Sequence, residues 1–386
     1  MSGKPSRSLQ TLLSISISHA INHSFWILVP ALSPMILEEF NLTYTEAGIV
    51  FSVFLATYAV GQIPVGALAG RFNPAKLMGF GLMLSSAGML LTATSTSYYA
   101  ILAFQALAGL GGSAHHPLSL HLISDVFPRE QRGRALGIHG LSSSLGFTLT
   151  PAAVAVLIPL GWRMPLILFS VLGFTLGAFI LLAVAPEVSP VEKPLPLKNL
   201  FQVYGFKRLL SMFMMMTLTI RGIGNFLPLF LISIYGIAAA KTGYYYALFY
   251  VAGMIQPLTG YLADRVERRK LMLAMIFASS GLIAAMALAP WRNPIPLVVA
   301  AGMAVWSVIT LHDALATDIT PREAWGIGYG VLFTASMAAA SLSSILTGLL
   351  IEGLGFISAY IILALIFLVE VPLLTSLKME CALQKS

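Results

Sequence analysis

Apolar residues run along this chain in long unbroken stretches, not in the alternation of a half-buried strand or the one-sided stripe of a surface helix. Stretches long enough to cross a bilayer core of about 30 Å fall at 9–37, 45–69, 76–96, 98–124, 134–160 and 164–185. They recur at 208–236, 242–263, 270–289, 294–317, 325–351 and 355–377. In lipid each backbone N–H and C=O must find its partner within its own segment, so these stretches predict helices. The expected fold is all-α and membrane-integral, with twelve spans in two groups of six. The polar stretch EVSPVEKPLPLKNLFQVYGFKR (187–208) separates the groups. The expected organisation is a bundle over 1–186, a linker over 187–207 and a second bundle over 208–386. The first stretch follows Lys4 and Arg7, as in a signal peptide. It is too long for the apolar core of one and lacks a small-residue cleavage site, so a retained helix is expected.

The two groups repeat one another. DVFPREQRGRALG (125–137) and DITPREAWGIGYG (318–330) match without a gap at Asp125/Asp318, Pro128/Pro321, Arg129/Arg322, Glu130/Glu323, Gly133/Gly326 and Gly137/Gly330. QIPVGALAGR (62–71) and QPLTGYLADR (256–265) close the second stretch of each group. Leu160-Gly161 and Leu354-Gly355 close the fifth. Two halves that both start from one side of the membrane are related by an axis along its normal.

Composition agrees with burial in lipid. Hydrophobic residues make up 58% and charged residues 10%, against about 25% charged in soluble domains. Of the 22 Lys and Arg, 18 fall on one side if the N-terminus is cytoplasmic, and Arg163, Lys241 and Arg292 fall on the other. The positive-inside rule therefore places both termini in the cytoplasm, expected at a prokaryotic plasma membrane. The net charge of +7 then needs no nucleic-acid partner. The single Cys381 excludes a disulfide framework and a Cys-cluster metal site; no metal or cofactor is expected. GLGG (109–112) and GIGYG (326–330) follow no soluble strand, which argues against nucleotide binding. Neither His-Glu-x-x-His nor Gly-x-Ser-x-Gly occurs, so no enzyme is expected.

Arg221 is the costliest residue, midway along the seventh stretch, where an Arg costs about 2.5–3.5 kcal/mol to insert. It should face a polar cavity and an anion, with Asn225 one turn later; a structural pair with Asp313 or Glu370 is the alternative. His19, Asn22 and His23 share one face of the first helix. Asp125 and Arg132 are expected to pair at the end of the fourth helix. Asp264 and Arg265 are expected to bind the helix ends of the other half. Gly109, Gly111, Gly112, Gly140 and Gly146 are expected to allow close helix packing.

GYLADRVERRK (260–270) resembles the loop signature of the major facilitator superfamily, Gly-x-x-x-Asp-Arg-x-x-Arg-Arg. SHAINH (18–23), GLGGSAHHP (109–117) and RGRALGIHGLSSSLGFTLTP (132–151) are similar to its fosmidomycin-resistance-like efflux group. The first-half loop departs from the signature, carrying Gly70 beside Arg71. Gln105 stands where many drug/proton antiporters carry Arg, and Thr150-Pro151 replaces Gly-Pro.

The resemblance implies the major facilitator fold, with a central cavity lined by helices 1, 4, 7 and 10. His115-His116 and His312-Asp313 lie on the fourth and tenth, and His116 before Pro117 matches the family's His-Pro position. The expected solute-binding set is Arg221, Asn225, Asn22, His23 and His116. The expected proton-coupling set is His19, His312 and Asp313, a buried carboxylate being a candidate proton carrier. The expected conformational set is Asp125, Arg132, Asp264, Arg265 and Arg71. The function implied is alternating-access transport of a small anionic or zwitterionic solute by proton-coupled efflux, in a monomer whose partners are solute, protons and the lipid bilayer. Uptake of an organic anion by symport or facilitation, and a non-transporting receptor or assembly factor, stand as alternatives.

Overall fold

The computed structural model describes residues 7–68, 72–184, 197–289, 293–321 and 324–377. In the first half α1 is Arg7–Phe40, α2 Tyr44–Leu68 and α3 Pro74–Ala93. α4 consists of Tyr98–Gly112 and His115–Val126, α5 is Arg129–Leu157 and α6 Arg163–Ala183. In the second half α7 is Phe206–Tyr235. α8 is built from Ala239–Val251, a 3-10 turn at Ala252–Ile255 and Gln256–Ala263; α9 is Arg268–Leu288 and α10 Ile295–Ile319. α11 and α12 form one continuous helical stretch, Trp325–Leu368, bent at Gly355, with Glu370–Thr375 after it. Among the described residues, Leu197–Leu200 adds a single turn before α7 and there is no strand.

Prolines explain the two broken spans. Pro117 has no N–H to give Ser113 and Pro257 none to give Gly253. The breaks lie there, at Ser113-Ala114 and over Ala252–Ile255. Nine helices are long and apolar enough to cross a membrane unaided among the described residues. α4 and α8 complete the set as broken spans, and the bend divides the last long helix into two.

That bend has a counterpart. Gly355 has φ 78° and Gly161, between α5 and α6, has φ 100°. Both lie in the left-handed region that only glycine enters cheaply, so the same backbone device turns the chain at the same place in each half.

Helix packing repeats as well. α1 packs on α5 and α6, α2 on α4, and α3 on α4 and α6. Likewise α7 packs on α11 and α12, α8 on α10, and α9 on α10 and α12. Across the halves α2 meets α11 and α5 meets α8, a pairing that exchanges under the same two-fold relation. Close approach depends on missing side chains: a Cβ on Gly348 would lie 2.5 Å from the Tyr44 carbonyl, and one on Gly243 would lie 2.7 Å from that of Pro151. Gly109, Gly111, Gly112 and Gly146 also sit against neighbouring helices, as expected. Gly140 does not; it faces open space.

Among the described residues the halves touch mainly at the end of the bundle remote from the termini. There Thr45 N donates to Glu352 Oε2 at 3.1 Å, and Tyr44 and Phe356 meet edge to face at 5.0 Å. Toward the terminus-bearing end, a Cβ on Gly133, Gly137 or Gly330 would enter open space. The space between α5 and α11 therefore opens toward that end.

Candidate functional site

Arg221 projects from the middle of α7 into the space between the halves. Its guanidinium carbon lies 4.9 Å from the ring centroid of Trp26 on α1 and 5.3 Å from that of Phe147 on α5. Phe147 stacks on Tyr250 of α8 at 5.1 Å, and Tyr250 meets Trp306 of α10 at 5.8 Å. No carboxylate among the described residues forms an ion pair with Arg221. The residue is half-buried, so its charge is met by ring faces and by the cavity. A guanidinium presents a planar fork of donors suited to a carboxylate or phosphonate.

Opposite it stand five histidines. His19 and His23 lie one turn apart on α1 with their Nε2 atoms 2.9 Å from each other. His115 and His116 start the second piece of α4, and His139 comes from α5. His19 Nδ1 lies 2.9 Å from the His139 carbonyl oxygen and 3.2 Å from Ser142 Oγ. His116 packs on Phe333 of α11 at 4.2 Å, so the cluster touches both halves.

α10 carries a separate polar group. His312 Nε2 lies 3.0 Å from Glu370 Oε2, both fully buried. His312 Nδ1 meets the Val308 carbonyl at 2.9 Å, and Asp313 is hydrogen-bonded to Tyr329 of α11. The pairing of Arg221 with Asp313 or Glu370, open from the sequence, is thus not made.

Relatives agree with this architecture. The profile of the Major Facilitator Superfamily matches residues 15–311 and 256–379. The chain belongs to the Major Facilitator Superfamily. It is a multi-pass membrane protein of a superfamily of transporters. The superfamily member YfnC of Bacillus subtilis, an uncharacterized transporter, is 23% identical over 92% of this chain and 89% of its own. The fosmidomycin resistance protein of Escherichia coli is 28% identical over 48% of this chain and 44% of its own. A probable L-galactonate transporter of Escherichia coli is 29% identical over 36% and 31%. The chain thus spans less than half the length of these last two. The crystal structure of a bacterial homolog to the human lysosomal transporter Spinster, inward-facing and occupied, superposes with a TM-score of 0.78. It is 16% identical, covering 97% of this chain and 96% of that one; the likeness is one of fold.

Within the superfamily fold, the remaining expected residues take definite places. Asn22 is buried and committed at both ends: Nδ2 donates to the Gly112 carbonyl at 3.1 Å, and Oδ1 accepts from Tyr58 Oη at 3.1 Å. Asn225 turns from the cavity and donates to Ser344 Oγ at 2.9 Å. The structure therefore brings together Arg221, His19, His23 and His116, but holds both asparagines as links between helices.

At the terminus-bearing end Asp125 lies 3.9 Å from His121, while Arg132 Nε donates to the Phe127 carbonyl at 3.0 Å. The expected direct pair of Asp125 with Arg132 is not formed. Asp264 lies 3.8 Å from Arg268, which also pairs with Asp318, and Arg265 stacks on Tyr261 at 4.1 Å. All of these contacts stay within the second half, correcting the expectation that Asp264 and Arg265 reach the first. The physical reason is the open space between the halves at this end. Arg71 lies outside the described residues.

His139, Trp26, Phe147, Tyr250 and Tyr329 also border these groups and are not singled out by the sequence. One signal was available for His139: all seven histidines fall in helical stretches, four of them within 115–139. The aromatic residues gave none, because a ring in an apolar stretch reads as core.

Proposed function

We propose that this protein carries a small anionic or zwitterionic solute by alternating access, coupled to protons and in the direction of export. The carrying observation is Arg221, set in an aromatic cage between the halves with no carboxylate partner among the described residues. The printed names of relatives support an anion: fosmidomycin, L-galactonate, sulfoacetate and nitrate/nitrite all bear or form anionic groups. In this reading His23 and His116 line the solute site. Asp313, with His312 and Glu370 nearby, exchanges protons as the halves 1–186 and 208–386 rock about the 187–207 linker. Both termini face the cytoplasm of a cell whose plasma membrane holds the protein as a monomer.

Uptake of an organic anion is the second reading, favoured by the L-galactonate and sulfoacetate transporters among the relatives. Purified protein in proteoliposomes, assayed for flux of a phosphonate, a sugar acid and a sulfonate with the pH gradient imposed in either direction, decides between them. Export predicts that an opposing proton gradient drives the solute; symport predicts movement along the gradient. No flux and no binding of any anion overturns the proposal.

A further inference from the structure

We infer that His19, His23 and His116 form a binding site for a divalent transition metal of the zinc class. A metal binds an imidazole nitrogen in the plane of the ring, so rings sharing one ion cannot be stacked in parallel planes, and steeply turned rings meet that condition. His19 and His23 meet at 76°, His19 and His116 at 88°, and His23 and His116 at 84°. At a metal–nitrogen distance of about 2.0–2.1 Å, the ring centroids on a tetrahedral ion stand about 5.2 Å apart. Here they stand 4.5, 5.0 and 5.2 Å apart, with a ring nitrogen of each residue within 4.8 Å of the others.

The neighbouring set cannot do the same. His115, His19 and His139 also bring nitrogens within that distance, but their rings are stacked, with interplanar angles of 5°, 12° and 17°. In-plane lone pairs of parallel rings run side by side and do not converge.

Hydrogen bonding prepares the perpendicular set. A carbonyl only accepts, so His19 Nδ1 carries the proton directed at the His139 oxygen 2.9 Å away. That leaves the lone pair on His19 Nε2. Fixing one ring nitrogen to a backbone carbonyl is how metal-ligating histidines are oriented. His19 and His23, separated by four residues, share one helical face. The 2.9 Å contact between their Nε2 atoms is a hydrogen bond that His23 donates. Once that proton is carried on His23 Nδ1, which is buried and has no partner, the two Nε2 lone pairs need to part by only about 0.4 Å to reach the edge of a tetrahedron around zinc. His116 Nε2 is buried with no hydrogen-bond partner. Three neutral nitrogen ligands leave a fourth position for water or an anion, and the Trp26 ring touches both His23 and Arg221.

The test uses the full chain, purified without a histidine tag and stripped with chelator, titrated with Co2+ and then Zn2+. The expected result is one equivalent of Co2+, giving the intense visible bands of four-coordinate geometry that Zn2+ abolishes. His23→Gln and His116→Gln each lower Co2+ affinity at least about tenfold, the scale on which metal-site partners act, while His115→Gln leaves it unchanged. If either ligand variant fails to fold, the wild-type spectrum and stoichiometry decide alone. Absence of a one-equivalent four-coordinate spectrum overturns the site, as does loss of binding in His115→Gln with retention in His116→Gln. Metal binding is measured without solute or gradient, so its failure is distinct from failure of transport.

Discussion

Arg221 of α7 and Trp26 of α1 meet across the two halves, guanidinium carbon to indole centroid 4.9 Å. A half-buried cation held by ring faces retains its donors for an incoming anion, and that defines the first test. Arg221→Lys keeps the charge but loses the fork and should bind an anionic solute more weakly while retaining some flux. Arg221→Ala should lose at least about tenfold in affinity, the worth of a charge-assisted hydrogen bond of about 1.5–3 kcal/mol. Titration calorimetry on folded, purified variants checks this. Because Asp313 bonds Tyr329 and not Arg221, Asp313→Ala should not rescue Arg221→Ala. Recovery of binding in the double variant would sink the recognition role.

His312 and Glu370 form a fully buried pair at 3.0 Å. Removing one partner strands the other, at a cost of about 3–5 kcal/mol. Glu370→Ala and His312→Ala should each lower the thermal unfolding midpoint sharply. Combining His312→Gln with Glu370→Gln keeps hydrogen-bonding groups facing one another, and should lower the midpoint less than the two Gln changes do when their separate effects are added. Additive losses in that double variant would refute the coupling.

Gly348 and Gly243 let the halves close at the end remote from the termini, where a Cβ would stand 2.5 and 2.7 Å from carbonyl oxygens of the other half. Gly348→Leu and Gly243→Leu should favour the state open at that end. With Cys381→Ser as background, a cysteine introduced at Phe51 should react faster with a membrane-impermeant thiol reagent in these variants. Equal rates would mean that the contact does not govern closure.

Orientation is open to a direct test in intact cells. Cysteines placed at Lys241 and Glu46 should label from outside, and those at Lys198 and Arg269 only after the membrane is made permeable. External labelling at Lys198 would overturn the parity of twelve spans.

Hydropathy was enough to locate the spans, because a segment in lipid must satisfy its own backbone and so must be long, apolar and helical. The repeat was legible for a similar reason: Gly161 and Gly355 mark turns whose positive φ restricts the choice of residue. The i, i+4 spacing of His19 and His23 also placed them on one face by helix geometry alone. Which residues meet across helices was decided only by tertiary packing. Arg221 has Trp26 and Phe147 beside it, not Asp313, because the rotation of α7 against α1 and α5 sets its neighbours. The same holds for His312, which faces Glu370 of the stretch after α12, and for Asn225, which Ser344 draws toward α11. His116 and His19, 97 residues apart in sequence, are joined by the break before Pro117 and the docking of α4 on α1. Local periodicity carries no record of such distances, since it reports which face of a helix a residue occupies but not what that face meets.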